Sequence, residues 1–167
     1  MANQLSVLLN GQPQPLPDDV FRLIDWLRND MKLTGTKEPC GAGYCGGCSV
    51  LLDGMVVPSC CILTVTVAGR EVITIEGLSE RVPPDPLLDA FVHHGAIQCG
   101  YCTPGMIIAA RAFLDSIKGT CSKERPITEQ SVRAALAGNV CRCTGYVNIV
   151  EAILAAAREE GLPCVAT

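Results

Sequence analysis

Aromatic residues make up only 4% of this 167-residue chain, and it has two histidines. Basic charge is also short: 13 Lys and Arg stand against 17 Asp and Glu, a net charge of −4. That balance offers no basic face for nucleic acid and no basic helix for an anionic membrane surface. No apolar run reaches the roughly 18 residues that a membrane-spanning helix needs. The opening residues, Met1-Ala-Asn-Gln-Leu-Ser-Val, lack a charged segment followed by an apolar stretch. The sequence therefore predicts no export signal and a cytoplasmic chain. No Ser/His/Asp or paired-carboxylate arrangement stands out, so no catalytic residue is expected.

Cysteine, by contrast, is abundant, with eleven residues. In a secreted chain such a count would suggest disulfides. An odd count without an export signal points instead to metal ligation. Eight of the eleven fall into two compact sets, leaving Cys61, Cys121 and Cys164. The first set is Cys40, Cys45, Cys48 and Cys60, spaced C-x4-C-x2-C-x11-C. Its first three members match the plant-type [2Fe–2S] pattern, which is completed by a more distant fourth cysteine. Glycines fill most of the gaps between them, which suits a loop wrapped round an inorganic core with its backbone N–H groups turned to sulfur. The loop reads as part of an electron-transfer protein.

Along the chain, Asn10-Gly11 marks a β-hairpin of residues 4–9 and 12–16, because a type I′ turn needs two residues at positive φ. A helix is expected over residues 20–31, with Val20, Leu23, Ile24 and Leu27 on its apolar face and Trp26 off that stripe but packed. Asp53-Gly54 marks a second hairpin, of residues 49–52 and 55–57. Residues 62–67 and 71–75 read as two further strands. Residues 1–76 thus form a sheet with one helix across it, an α+β arrangement. Residues 77–84, with Gly, Ser, charges and two prolines, read as a linker. Beyond it four helices are expected, over 87–94 (capped by Asp85), 105–118, 129–137 (capped by Thr128) and 146–160. Short connections make them a small bundle.

The second set is Cys99 and Cys102 with Cys141 and Cys143, each pair just before an expected helix. The two stretches echo one another, Cys102-Thr-Pro-Gly against Cys143-Thr-Gly-Tyr, which suggests a pseudo-twofold arrangement. Two helix N-termini would then face one centre, with Thr103 and Thr144 as caps, and favour an anionic thiolate cluster. Taken alone, this set is also compatible with tetrahedral zinc or with disulfides. The first set argues against both for the chain as a whole, since C-x4-C-x2-C-x11-C is not a usual zinc spacing.

At these residues the chain strongly resembles the small iron–sulfur subunit of the molybdenum hydroxylases. This is the xanthine oxidase family, with its aldehyde oxidoreductases, carbon monoxide dehydrogenases and bacterial N-heterocycle hydroxylases. The matching stretches are residues 33–37, 40–54, 74–78, 98–106 (Gln98-Cys-Gly-Tyr-Cys-Thr-Pro-Gly-Met106) and 138–146 (Gly138-Asn-Val-Cys-Arg-Cys-Thr-Gly-Tyr146). They run in the family's order through nearly the whole chain. The resemblance implies a ferredoxin-like β-grasp domain (1–76), the linker (77–84) and an all-α four-helix bundle domain (85–167), each domain holding one [2Fe–2S] cluster. It assigns Cys40, Cys45, Cys48 and Cys60 to the first cluster, and Cys99, Cys102, Cys141 and Cys143 to the second. Gln98 and Cys143 match positions that touch molybdopterin. The pterin, in its cytosine dinucleotide form, would belong to a large partner subunit. FAD on a medium subunit, or a cytochrome, would be the acceptor. The implied role is to pass single electrons from the molybdenum centre of a heteromeric complex to that acceptor, with no organic substrate bound by this chain.

Two departures from the family pattern stand out: Pro39 where glycine is expected, and a segment at 118–126 that looks inserted. A free-standing two-cluster carrier and a zinc-stabilised scaffold are the competing functions. The stretch Gly41-Ala-Gly43-Tyr-Cys-Gly46 matches G-x-G-x-x-G in letters but has no strand before it and no helix opening within it, so it is not a dinucleotide site. His93 and His94 read as surface residues of a helix. Cys61, next to a ligand in an expected strand, should point to the core, and Cys121 and Cys164 should be free thiols. Arg142, between two ligands, either tunes charge or meets a partner, or else serves in structural hydrogen bonding.

Overall fold

The computed structural model describes residues 5–122 and 124–165. Gln4, the expected start of the first strand, and Lys123, within the 118–126 segment, lie outside the described residues, as do residues 1–3, 166 and 167. Five strands form a mixed sheet: β1 (Ser6–Leu9), β2 (Gln12–Pro15), β3 (Ser49–Leu52), β4 (Met55–Pro58) and β5 (Glu71–Ile73), in the order β2-β1-β5-β3-β4. Only β1 and β5 are parallel. Both hairpin turns have the two positive φ values that the type I′ reading requires, at Asn10 and Gly11 and at Asp53 and Gly54.

Helix α1 (Leu23–Asp25) runs on as a π-helical turn, Trp26–Asp30, closed by Met31 N–H to the Trp26 carbonyl at 3.0 Å. It begins three residues later than expected. Phe21 and Arg22 are held outside the helix by Leu23 N–H to Ile62 O (2.7 Å) and Thr64 N–H to Phe21 O (2.8 Å), with Arg22 extended as the N-cap. Val20 is therefore exposed rather than on the apolar face, while Leu23, Ile24, Trp26 and Leu27 are buried. The expected strand at 62–67 is absent for a related reason. Ser59–Cys61 and Thr64–Val67 are 3-10 turns, and only Leu63 between them pairs with Arg22.

Among the described residues six α-helices are present. After α1 come α2 (Ile75–Ser79), α3 (Pro86–His93), α4 (Thr103–Ile117), α5 (Glu129–Ala135) and α6 (Val147–Glu159). The α2 helix takes residues 75–79, the end of an expected strand and the start of the expected linker. Asp85 caps α3 by accepting from Leu87 N–H, and Thr128 caps α5 in a reciprocal box with Ser131. Helices α3 to α6 share one core. Arg111 on α4, itself buried, ties it together through Asp85, Asp115 and Glu160.

Strand β3 joins the two halves, because it is buried on both faces. Val50 and Leu52 belong to the core with Leu23, Trp26 and Leu27, whereas Leu51 between them belongs to the core of the four later helices. This is the period-2 alternation of a strand used to hold two cores at once. It sets α4, and the cysteines at its start, against the sheet that carries the first cysteine loop.

Candidate metal centres

The first cysteine set is built on the loop before β3 and on the turn after β4. Cys48 stands immediately before β3 and Cys60 lies in the 3-10 turn Ser59–Cys61. Ser59 fastens the turn to the loop, its N–H and its hydroxyl both donating to Cys48 O at 3.1 and 2.7 Å. Cys48 Sγ and Cys60 Sγ are 3.3 Å apart, and the Cys40 and Cys45 thiols pair with each other. Positive φ at Gly41, Gly43 and Gly46 curls the loop so that backbone N–H groups face sulfur. Cys40 receives them from Ala42, Tyr44 and Cys45, and Cys45 receives one from Gly47. Pro39, the departure from the family pattern, lies against Gly47, where a Cβ would come within 2.6 Å of its Cγ.

The second set assembles at the start of two helices. Cys102 immediately precedes α4, and Cys141 and Cys143 lie on the segment that enters α6. Cys99 Sγ and Cys143 Sγ are 3.6 Å apart, and Cys102 pairs with Cys141. Thr103 and Thr144 do not act as the expected caps. Cys102 is already helical in φ and ψ, which makes Thr103 the first helical residue. Gly145 and Tyr146 at positive φ delay α6 by two residues past Thr144. Thr144 Oγ1 instead lies 3.2 Å from Cys141 Sγ and accepts from Tyr146 N–H. The Tyr146 hydroxyl accepts from Cys141 N–H at 2.8 Å and donates to Asn139 O at 3.0 Å, bracing the segment that carries the pair.

The thiols divide in acidity. The Ala42 N–H, followed by contacts from Cys45 and Tyr44, holds exposed Cys40 down to about 6. Burial pushes Cys48 and Cys102 up to about 12. For Cys141, burial is outweighed by the hydroxyl and N–H of Thr144 and by the N–H of Cys143, which bring it to about 7. Each set thus offers one sulfur held acidic by N–H or hydroxyl donors and one, raised by burial, whose proton a bound cation would have to displace.

The donor chemistry tests what these sets can hold. Among the described residues, no three His, Cys, Asp or Glu side chains converge as they do round a single ion. The sulfurs come in twos: Cys40 with Cys45, Cys48 with Cys60, Cys99 with Cys143, and Cys102 with Cys141. Two thiolate pairs per set fit a dinuclear centre with two ligands on each iron better than one tetrahedral zinc.

The two sets touch. Val140 N–H donates to Cys45 O at 2.9 Å, and Asn139 Nδ2 donates to Gly46 O at 3.1 Å. A cleft of about 240 Å³ is lined by all four cysteines of the second set and by Cys45 and Pro39. Arg142 is exposed on this cleft, and Gln98 is exposed beside Cys99. Sequence reasoning missed Val140, Asn139 and Gly46 as the junction, because hydrogen bonds between residues about 90 apart leave no local pattern. It also misplaced Cys61. That residue is exposed, with Sγ 3.7 Å from Cys60 Sγ, because the chain there is a 3-10 turn and not an alternating strand. His93 and His94 are exposed at the end of α3, and Cys121 and Cys164 are free and half-buried.

A family model described as a [2Fe-2S] binding domain matches residues 74–154. The chain is 41% identical to the nicotinate dehydrogenase small FeS subunit of Eubacterium barkeri, over 89% of this chain and 91% of that one. It is 42% identical to the nicotine 6-hydroxylase small subunit of Paenarthrobacter nicotinovorans, over 95% of this chain and 92% of that one. The chain belongs to the iron–sulfur subunits of the molybdenum hydroxylase family. A solved member of similar fold is a chain of quinoline 2-oxidoreductase from Pseudomonas putida 86. It superposes with a TM-score of 0.79 at 38% identity, covering 95% of this chain and 97% of that one.

Proposed function

We infer that the chain is the electron-transfer subunit of a molybdenum hydroxylase complex and that its eight paired cysteines hold two [2Fe–2S] clusters. Cys40, Cys45, Cys48 and Cys60 would ligate the first cluster, and Cys99, Cys102, Cys141 and Cys143 the second. The observation that carries this reading is the arrangement of two sets of paired sulfurs joined by the hydrogen bond from Val140 N–H to Cys45 O. A [2Fe–2S] cluster takes up and releases one electron at a time, so two in series divide the two electrons of a hydroxylation into single transfers.

The protein's own residues supply the rest. Cys45 is a ligand of the first set, and Val140 adjoins Cys141 of the second, so one backbone hydrogen bond links ligand to ligand. Asn139 holds the neighbouring carbonyl, which keeps that bond in register. Backbone N–H groups at Cys40 and Cys45, and the Thr144 hydroxyl at Cys141, stabilise negative charge on sulfur. Exposed Gln98, Cys99 and Cys143 give the second centre an open side, and that side would face the pterin of the partner.

Within this reading, residues 1–76 are a ferredoxin-like β-grasp domain, 77–84 the connection and 85–167 a four-helix bundle domain. The complex would include a large subunit with molybdopterin in its cytosine dinucleotide form and a medium FAD-binding subunit or a cytochrome. It would reside in the cytoplasm; among the described residues no helix is long and apolar enough to cross a membrane. The relatives are named for nicotinate, nicotine and quinoline, three different ring compounds, so substrate choice would lie in the large subunit.

Iron and acid-labile sulfide analysis, with electron paramagnetic resonance of the reduced protein, tests the reading. Two distinct [2Fe–2S] signals are expected. A colourless protein with stoichiometric zinc would overturn the cluster assignment. Isolation only as a lone monomer, without a molybdenum-containing partner, would overturn the complex.

A further inference from the structure

Cys61 belongs to neither set of four, yet the fold brings its sulfur to the first. In the 3-10 turn Ser59–Cys61, successive side chains step by about 120° instead of the 180° of a strand. Cys60 and Cys61 therefore do not point in opposite directions. Cys60 Sγ lies 3.3 Å from Cys48 Sγ on one side and 3.7 Å from Cys61 Sγ on the other, so three thiols stand in a row. Cys61 also lies against the ligand loop from beneath. A Cβ at Gly43, midway between Cys40 and Cys45, would come within 2.9 Å of Cys61 Sγ. The glycine, at φ +76°, leaves the space that this sulfur occupies. Cys60 is 4% exposed, whereas Cys61 is open to solvent.

We propose that Cys61 is a fifth sulfur donor of the first centre, able to ligate iron in place of Cys60. The proposal rests on the reading of Cys40, Cys45, Cys48 and Cys60 as a [2Fe–2S] site. In the exchange, the Cys61 thiol gives its proton to solvent as its bond to iron forms. The bond from iron to Cys60 breaks and the Cys60 thiolate takes up a proton. No electron changes hands, and the centre keeps four thiolates throughout. Ligation moves from a buried sulfur to an exposed one, so the first centre survives the loss of its most buried pairing.

The test compares the wild-type holoprotein with Cys61→Ala, Cys60→Ala and the double variant. The readouts are iron content, paramagnetic resonance of the reduced state, and alkylation of Cys61 by iodoacetamide, located by mass spectrometry. The second centre's signal serves as an internal marker of folding. Wild type and Cys61→Ala should show both signals, and Cys61 should be alkylated in the wild type. Cys60→Ala should keep its full iron, show a first signal at altered g values and protect Cys61 from alkylation. The double variant should retain half the iron and only the second signal. If Cys60→Ala loses the second signal as well, Cys60→Val, which refills the buried volume, takes its place. Loss of the first signal in both single variants at position 60 overturns the proposal, as does loss of that signal in Cys61→Ala. A wild-type protein without the first signal would instead overturn the underlying cluster assignment.

Discussion

Gly105 decides how closely the two cysteine sets approach, and replacing it should reverse the usual effect of alanine in a helix. It is the third residue of α4, where glycine costs roughly 0.8–1 kcal/mol relative to alanine. Propensity alone therefore predicts that Gly105→Ala stabilises the protein. The structure predicts the opposite. An added Cβ would stand 3.1 Å from the Gly46 carbonyl carbon and 3.2 Å from Gly47 Cα, and closer still to Gly46 O. Every one of these atoms is backbone of the first ligand loop, so no side chain can swing aside. The loop is further pinned from the other side by Asn139 and Val140. Carbon atoms pack best at about 3.5–4.0 Å, so helix and loop must separate by several tenths of an ångström or more. Overpacking of this kind costs about 1–3 kcal/mol, and each strained hydrogen bond at the junction adds to that. After the propensity gain, a net loss of about 1–2 kcal/mol remains, a fall in Tm of about 2–8 °C for a chain of this size. Thermal unfolding of the holoprotein followed by circular dichroism reads the first quantity. Paramagnetic resonance of the fully reduced protein reads the separation, because magnetic splitting between the two proposed clusters would weaken as they move apart. Gly138→Ala is the control: it also lies at the junction, but nothing stands within 4 Å of its Cβ position. A Gly105→Ala protein as stable as wild type, with unchanged splitting, would refute the reasoning.

Other expectations follow from the same contacts. Arg111→Met should cost at most about 3–5 kcal/mol in urea unfolding, because it removes the buried cation between Asp85 and Glu160 and leaves them only the more exposed Arg81 and Lys118. Burial of Glu160 is outweighed by Arg111 and Lys118, which hold its carboxyl below the ordinary range. A carboxylate lowered in the folded state contributes stability above its unfolded pKa, about 4.3, and loses it as the pH falls through the lower folded value. The Tm difference between wild type and Glu160→Gln should therefore be full at pH 7 and narrow only below about pH 4.3. Asn139→Ala removes the donor to Gly46 O and should cost about 1–2 kcal/mol while leaving iron content unchanged; lost iron would mean that the side chain holds the site and not only the junction.

Much of the fold could be read locally. Asn10-Gly11 and Asp53-Gly54 each marked a hairpin through the one property that type I′ turns demand, and both turns have that φ pair. Asp85 and Thr128 marked the starts of α3 and α5 through side chains that accept the orphan N–H groups. The two sets of cysteines were legible because their spacing is local, but the sulfur pairs of the second set were not, since Cys99 with Cys143 and Cys102 with Cys141 cross between its two motifs. The errors came where a distant partner overrode local preference. Residues 62–67 have the composition of a strand, rich in Val, Ile and Thr, but the sheet offers them no partner beyond the single pairing of Leu63 with Arg22. The same pairing keeps Arg22 extended and leaves Val20 outside the helix. Thr144 looked like a cap because it follows Cys143 as Thr103 follows Cys102. The echo fails at Gly145 and Tyr146, whose left-handed backbone turns the chain before α6 can begin.

The junction between the centres is made almost entirely of atoms that the side-chain sequence does not display. Cys45 O, Val140 N and Gly46 O are backbone groups, and Gly46 and Gly105 contribute by having no side chain at all. A Cβ at Gly46 would meet Asn139 Nδ2 at 2.5 Å and Gly138 O at 2.6 Å, so the loop and the segment before Cys141 fit only as bare chain. Such a joint has little freedom to repack, because backbone held by hydrogen bonds on one side and by a helix start on the other has no alternative rotamers. Strand β3 adds a second constraint, since Leu51 and its neighbours Val50 and Leu52 hold the two cores at a set separation. Substitutions elsewhere in either core should therefore lower stability before they alter the spacing of the sulfur sets. Substitutions at Gly46 and Gly105 should alter that spacing directly.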